Sequence, residues 1–116
     1  MPLIKMQTSV KCSDEQKRFL VLELSKVCSH CTKKPENYVQ AIIEDDAVIA
    51  FAGKIANSAF LEVRGIGGLT PAVNKELSAA ISKLLEDELK ISASEVYVNF
   101  TEVPASNWGC NGSTFG

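Results

Sequence analysis

One pattern occurs twice along this chain: a short apolar strand, a long amphipathic helix and a second strand, offset by about 57 residues from Leu3 to Phe60. In the first copy, residues 3–9 form a candidate strand. Ser13 followed three residues later by Gln16 is a capping-box signature. Leu20, Leu24, Val27, Cys28 and Cys31 then recur at helical spacing, with Lys17, Glu23, Lys26, His30 and Lys33 largely on the other side. Pro35 is expected to end that helix. Strands are expected at 38–43 and, after an Asp45-Asp46 turn, at 47–51. In the second copy, a strand at 60–64 leads into Gly65-Ile66-Gly67-Gly68, a flexible connector. Thr70 is a good N-cap and Pro71 suits the first helical position. Val73, Leu77, Ala80, Ile81, Leu84, Leu85 and Leu89 form the apolar stripe, and residues 95–101 form a strand.

A helix of this length between two strands permits a right-handed crossover joining parallel neighbours. Two such units can share one sheet. The expectation is a two-layer α/β (α+β) sandwich, with a four-stranded mixed sheet and two helices on one face, as a single domain over 1–116. The tail at 104–116 is rich in Gly, Asn and Ser yet holds Trp108 and Phe115, so it is expected to pack, a neighbouring subunit being one candidate surface. A formal net charge of −2 with dispersed basic residues argues against nucleic acid as a partner. No stretch approaches the roughly 20 apolar residues of a membrane span, so no membrane partner is expected. The N-terminus carries no apolar run of signal-peptide length, which points to a cytoplasmic protein with reduced thiols, leaderless secretion being invisible to sequence.

Cys28-Ser29-His30-Cys31 invites a redox or zinc reading. It sits in the last turns of its helix, where the dipole disfavours thiolate, and both cysteines fall on the apolar stripe. Only His30 and the distant Cys12 and Cys110 remain as further ligands. No metal or redox site is therefore expected. Gly67-Gly68 is not followed by the Lys-Ser/Thr of a phosphate-binding loop.

Met1-Pro2, Lys34-Pro35 before Tyr38, Ile66-Gly67-Gly68, the run Val96-Tyr97-Val98-Asn99-Phe100 and the run Asn111-Gly112-Ser113-Thr114-Phe115 stand in one collinear order over nearly the whole chain. Together with the duplicated pattern they resemble the macrophage migration inhibitory factor family, of the tautomerase superfamily. The resemblance implies a homotrimer whose short extra strands extend each sheet into its neighbour, with the active site between subunits. It implies a cofactor-free keto–enol tautomerase, of phenylpyruvate or dopachrome type, acting on a small aromatic α-keto acid or enol.

In that reading Met1 is removed and the Pro2 nitrogen becomes a secondary amine that shuttles a proton. While Met1 is attached, that nitrogen is a tertiary amide with no basicity. Lys34 would bind the substrate carboxylate and hold down the pKa of the amine. Val63 matches a position that donates its backbone N–H to that carboxylate. Tyr97 and Asn99, two apart on one strand face, would line the pocket from an adjacent subunit. Tyr38 and Phe115 match aromatic rim positions. The vertebrate cytokine has tryptophan where Cys110 stands here, and Trp108 lies two residues earlier, so the rim should be reshaped. Residues 54–60 are about three shorter than in that cytokine and lack its Cys-x-x-Cys. Taken without the resemblance, Pro2 merely begins an edge strand. The alternative functional reading is a cytokine-like signalling or binding protein, its receptor unknown, with a vestigial pocket.

Overall fold

A computed structural model describes residues 1–116, and both strand–helix–strand units form in it. The first is β1 (Leu3–Thr8), α1 (Asp14–Thr32) and β2 (Gln40–Glu44). A small hairpin follows, β3 (Ala50–Phe51) with β4 (Lys54–Ile55). The second unit is β5 (Ala59–Gly65), α2 (Pro71–Leu89) and β6 (Val96–Glu102). The main sheet runs β2-β1-β5-β6: each unit contributes a parallel pair, and the units meet antiparallel at β1 and β5. This is the expected mixed sheet with one helix per crossover.

Local signals set the helix ends. The Gln16 N–H donates to Ser13 Oγ at 3.1 Å, and the Ser13 N–H donates to Gln16 Oε1 at 3.0 Å. Such a cap stabilises by about 1 kcal/mol. Thr70 caps α2 in the same way, accepting from the Val73 N–H at 3.2 Å, with Pro71 behind it. The first helix stops at Thr32, where Lys33 turns left-handed (φ 57°), two residues before Pro35.

Alternation in β1 buries Ile4, Met6 and Thr8, and in β5 Leu61 and Val63. Leu20, Leu24 and Cys28 of α1 and Leu77, Ile81 and Leu85 of α2 close over them in one apolar cluster. Each large side chain so buried stabilises by roughly 1.5–3 kcal/mol before entropy is charged against it. The opposite sheet face carries no helix. It presents Lys5, Glu62, Arg64, Tyr97 and Asn99, with ion pairs Lys5–Glu44 (3.5 Å) and Arg64–Glu62 (3.2 Å).

Two expectations are corrected in detail. The strand expected at 38–43 starts at Gln40, because Glu36–Tyr38 forms a tight helical turn closed by Tyr38 N–H to the Pro35 carbonyl (3.1 Å) and Val39 N–H to that of Glu36 (3.0 Å). The strand expected at 47–51 shrinks to Ala50–Phe51 and pairs only with β4. Its first residue is spent elsewhere: the Ala47 N–H donates to the Thr8 carbonyl at 3.0 Å. The tail is ordered by a turn at Ala105–Asn107 and a hairpin of β7 (Gly109–Cys110) with β8 (Ser113–Thr114). No helix is long and apolar enough to cross a membrane.

Candidate active site

Pro2 opens β1, and its side chain is fully buried. Its carbonyl accepts from the Gln40 N–H at 3.1 Å, which ties the N-terminus to the start of β2. Two other segments converge there. The Glu36–Tyr38 turn presents Tyr38, half exposed, and the tail hairpin returns so that the Phe115 N–H donates to the Trp108 carbonyl at 3.1 Å. Pro2, Tyr38, Gln40, Trp108, Cys110 and Phe115 thereby line a cavity of about 360 Å³. Its walls are aromatic on two sides, suited to a flat ring with a few polar groups.

Lys34 approaches the N-terminus from the end of α1. Its carbonyl accepts from Ser29 Oγ at 2.6 Å, and its Nζ donates to the Ile66 carbonyl at 3.2 Å. None of the ion pairs in the molecule uses Lys34, so a neutral carbonyl steers the ammonium and its charge stays available. Gly68 makes room for it: a Cβ there would lie 3.1 Å from Lys34 Cε, and φ of +83° would itself disfavour a side chain. Lys34 does not line the Pro2 cavity, yet its field reaches the N-terminal nitrogen. Burial first, and the Lys34 charge second, push the Met1 amine below the ordinary terminal-amine value, while the Cys28 thiol opposes. The titrating nitrogen here is that of Met1; the Pro2 nitrogen is the amide of the first peptide bond.

The remaining candidate residues lie elsewhere in the chain. Val63 is fully buried in the middle of the sheet, opposite Ile4 on one side and Phe100 on the other. Its side chain is not among those that line the Pro2 cavity. Tyr97 and Asn99 do share the open face of β6, as their spacing requires. Tyr97 packs on Phe51 with ring centroids 4.8 Å apart, in a second cavity of about 300 Å³ lined also by Ile49 and Phe60. Within one chain, then, Pro2, Tyr38, Trp108 and Phe115 come together, Lys34 stands beside them, and Tyr97 and Asn99 belong to another wall.

Two contributors had no sequence signal that singled them out: the Gln40 side of the cavity and the Ile66 carbonyl. Gly67-Gly68 marked the loop that carries the latter, though not its purpose. Cys28, by contrast, is a packing residue: burial raises its thiol to about 11, so it is a thiol and not a thiolate at neutral pH.

The family model described as "Macrophage migration inhibitory factor (MIF)" matches residues 1–116. Macrophage migration inhibitory factor of Rattus norvegicus is 33% identical over 115 residues, covering 99% of each chain. The macrophage migration inhibitory factor homolog of Brugia malayi is 33% identical over 116 residues, covering 100% of each. Among solved structures, the macrophage migration inhibitory factor homologue from Prochlorococcus marinus superposes with a TM-score of 0.93 at 35% identity, covering 98% of this chain and 99% of that one.

Proposed function

The chain belongs to the macrophage migration inhibitory factor family, and from that premise we propose that it is a cofactor-free keto–enol tautomerase whose acid–base group is the nitrogen of Pro2. The observation that carries the proposal is the N-terminal end of β1: a desolvated amine, lowered further by the unpaired Lys34 ammonium, opening on an aromatic-walled cavity. Removing Met1 exposes the amine one residue further in, at Pro2, beside the same Lys34. An amine brought closer to neutrality is suited to giving and taking protons.

The reaction is a 1,3-proton shift on an aryl keto acid of the phenylpyruvate kind. The Pro2 amine takes the proton from the carbon beside the carbonyl and returns it to the carbonyl oxygen, and the reverse step regenerates the keto form. The carbonyl already acidifies that C–H, so the chain's task is to hold and orient. Lys34 attracts the substrate carboxylate, Tyr38, Trp108 and Phe115 pack the ring, and Cys110 stands on the same wall. Tyr97 and Asn99 complete the site from a neighbouring copy in a homotrimer. Val48, Ile55 and Tyr97 are exposed to 90%, 76% and 65%, which supports a neighbour covering that edge. Val63 of β5 offers its backbone N–H to the same carboxylate, its apolar side chain held in the core.

One observation favours a second reading. With Met1 attached the Pro2 nitrogen is an amide, and the cavity then suits binding without turnover. Intact-mass analysis joined to a phenylpyruvate assay on one sample decides between them. Material with a free Pro2 amine should turn over, and retention of Met1 or Pro2→Gly should lower activity by at least ~10²-fold, the scale of one acid–base group. Equal activity with Met1 retained refutes the amine mechanism.

A further inference from the structure

We infer that Glu102 is the positioning residue for Lys34: its carboxylate fixes the 65–69 loop, and that loop fixes the ammonium. The inference rests on the tautomerase reading and adds a residue to it.

The loop has no ladder of its own. It leaves β5 at Gly65, passes through two glycines with positive φ, and reaches the Thr70 cap of α2. Polar contacts from one place hold it at both ends. The Val103 N–H donates to the Gly65 carbonyl at 2.8 Å, and the Leu69 N–H donates to Glu102 Oε1 at 3.1 Å. Both anchors are consecutive residues at the end of β6, where Gly65 and Glu102 are register partners. Between the anchors lie the two atoms that locate Lys34: the Ile66 carbonyl, 3.2 Å from Nζ, and the Gly68 Cα, whose missing side chain leaves space for Cε. Glu102 is the only side chain that grips the far half of the loop, and it does so across 33 residues of sequence. The Leu69 side chain is itself buried, so the loop stays attached to the core when the carboxylate is removed, but the Ile66 carbonyl is no longer registered against Lys34.

The groups facing the terminal amine are Lys34, whose charge lowers its pKa, and Cys28 from α1, which opposes only as a thiolate, the form that burial suppresses. A displaced Lys34 removes the lowering charge. The amine then holds its proton to higher pH.

The test uses protein with a free Pro2 amine and compares Glu102→Ala with Glu102→Gln, whose amide oxygen still accepts from Leu69. Glu102→Ala should lower kcat/KM for phenylpyruvate roughly tenfold, mostly through KM, as expected when one hydrogen bond to a charged group is lost. The acidic limb of its pH profile should move to higher pH, and Glu102→Gln should restore both. An unmoved limb in Glu102→Ala, or the same displacement in Glu102→Gln, overturns the inference. If the wild type itself fails to turn over, the tautomerase reading falls, and the positioning is read directly. Cyanate modification of the Pro2 amine, followed by intact mass against pH, should show a higher midpoint in Glu102→Ala; an identical midpoint overturns it.

Discussion

Gly67 and Gly68 allow a matched pair of substitutions that separates backbone strain from the contact with Lys34. Their φ values are +72° and +83°, so alanine at either position carries a left-handed penalty of about 1–2 kcal/mol. For a chain of this size that is a fall in Tm of roughly 4–8 °C. The surroundings differ. A Cβ at 67 meets nothing within 4 Å, whereas one at 68 lies 3.1 Å from Lys34 Cε. The touched atom is near the end of a flexible side chain. It can yield at little cost in stability, but yielding takes Nζ off the Ile66 carbonyl. Gly67→Ala and Gly68→Ala should therefore lose similar stability in thermal unfolding and differ in catalysis. Gly67→Ala should keep kcat/KM for phenylpyruvate near wild type, and Gly68→Ala should lose roughly tenfold, chiefly in KM, because carboxylate binding is the role proposed for Lys34. Equal kcat/KM for the two variants would refute the assignment of Lys34. A Gly68→Ala protein several kcal/mol less stable than Gly67→Ala would show that the lysine does not yield and that the geometric reasoning is wrong.

Three other outcomes follow from the geometry. In the native state only Cys110 of the four cysteines is exposed, so a thiol-directed chromogenic reagent should show one fast-reacting group per chain, and three more only on unfolding. Fast labelling of Cys28, whose thiol is raised to about 11, would reopen the redox reading. Asp45 accepts from the Cys12 N–H at 2.8 Å and faces Lys17 at 3.7 Å; these contacts, the first above all, lower its pKa from the usual 3.8. A depressed carboxylate contributes stability above its unfolded value that is lost as pH falls through the folded one, so urea midpoints should drop below pH 3.8 in wild type and flatten there in Asp45→Asn. A wild-type slope unchanged in the variant counts against that clip. Finally, Val48→Asp with Ile55→Asp should sediment as a smaller species than wild type and lose turnover; a monomeric wild type that turns over would remove the site shared between copies.

The parts of this fold that were legible are those decided within a few residues. Ser13 with Gln16, and Thr70 with Pro71, set helix starts by hydrogen bonds that close inside one turn. The two apolar stripes set which helix face meets the sheet. The segment 47–51 was misread because alternation and apolarity report only that a strand is half buried, not against what. Ala50–Phe51 is satisfied by β4, and the neighbouring apolar side chains Val48 and Ile55 face outward. The start of β2 was misread because Pro35 feeds a tight turn whose hydrogen bonds bypass the side chains. At the site, Pro2, Tyr38, Trp108 and Phe115 could be marked from the resemblance, and the structure joins them in one cavity. Nothing in the sequence shows that the Ile66 carbonyl meets Lys34, or that Glu102 reaches Leu69. Each contact links segments 32–33 residues apart, and one partner is a backbone atom with no residue-type signature.

The proposed site is thus built in two different ways. The amine, the lysine and the aromatic rim are consequences of this chain's own folding: β1 and β2 hold Pro2, the end of α1 delivers Lys34, and the tail hairpin closes the rim. The wall with Tyr97 and Asn99 is presented outward on an uncovered sheet face and, in the trimer proposed above, meets the amine of a second copy. The tuning of the nitrogen should therefore be a property of the folded chain, and the grip on the far end of the substrate a property of assembly. Burial and Lys34 act on the N-terminus within a single chain, whereas in the proposed assembly discrimination among aryl keto acids falls to the neighbouring copy's face. A change at Gly68 or Glu102 should accordingly move the pH profile alike for every substrate, and a change at Tyr97 or Asn99 should move substrates relative to one another at a constant profile.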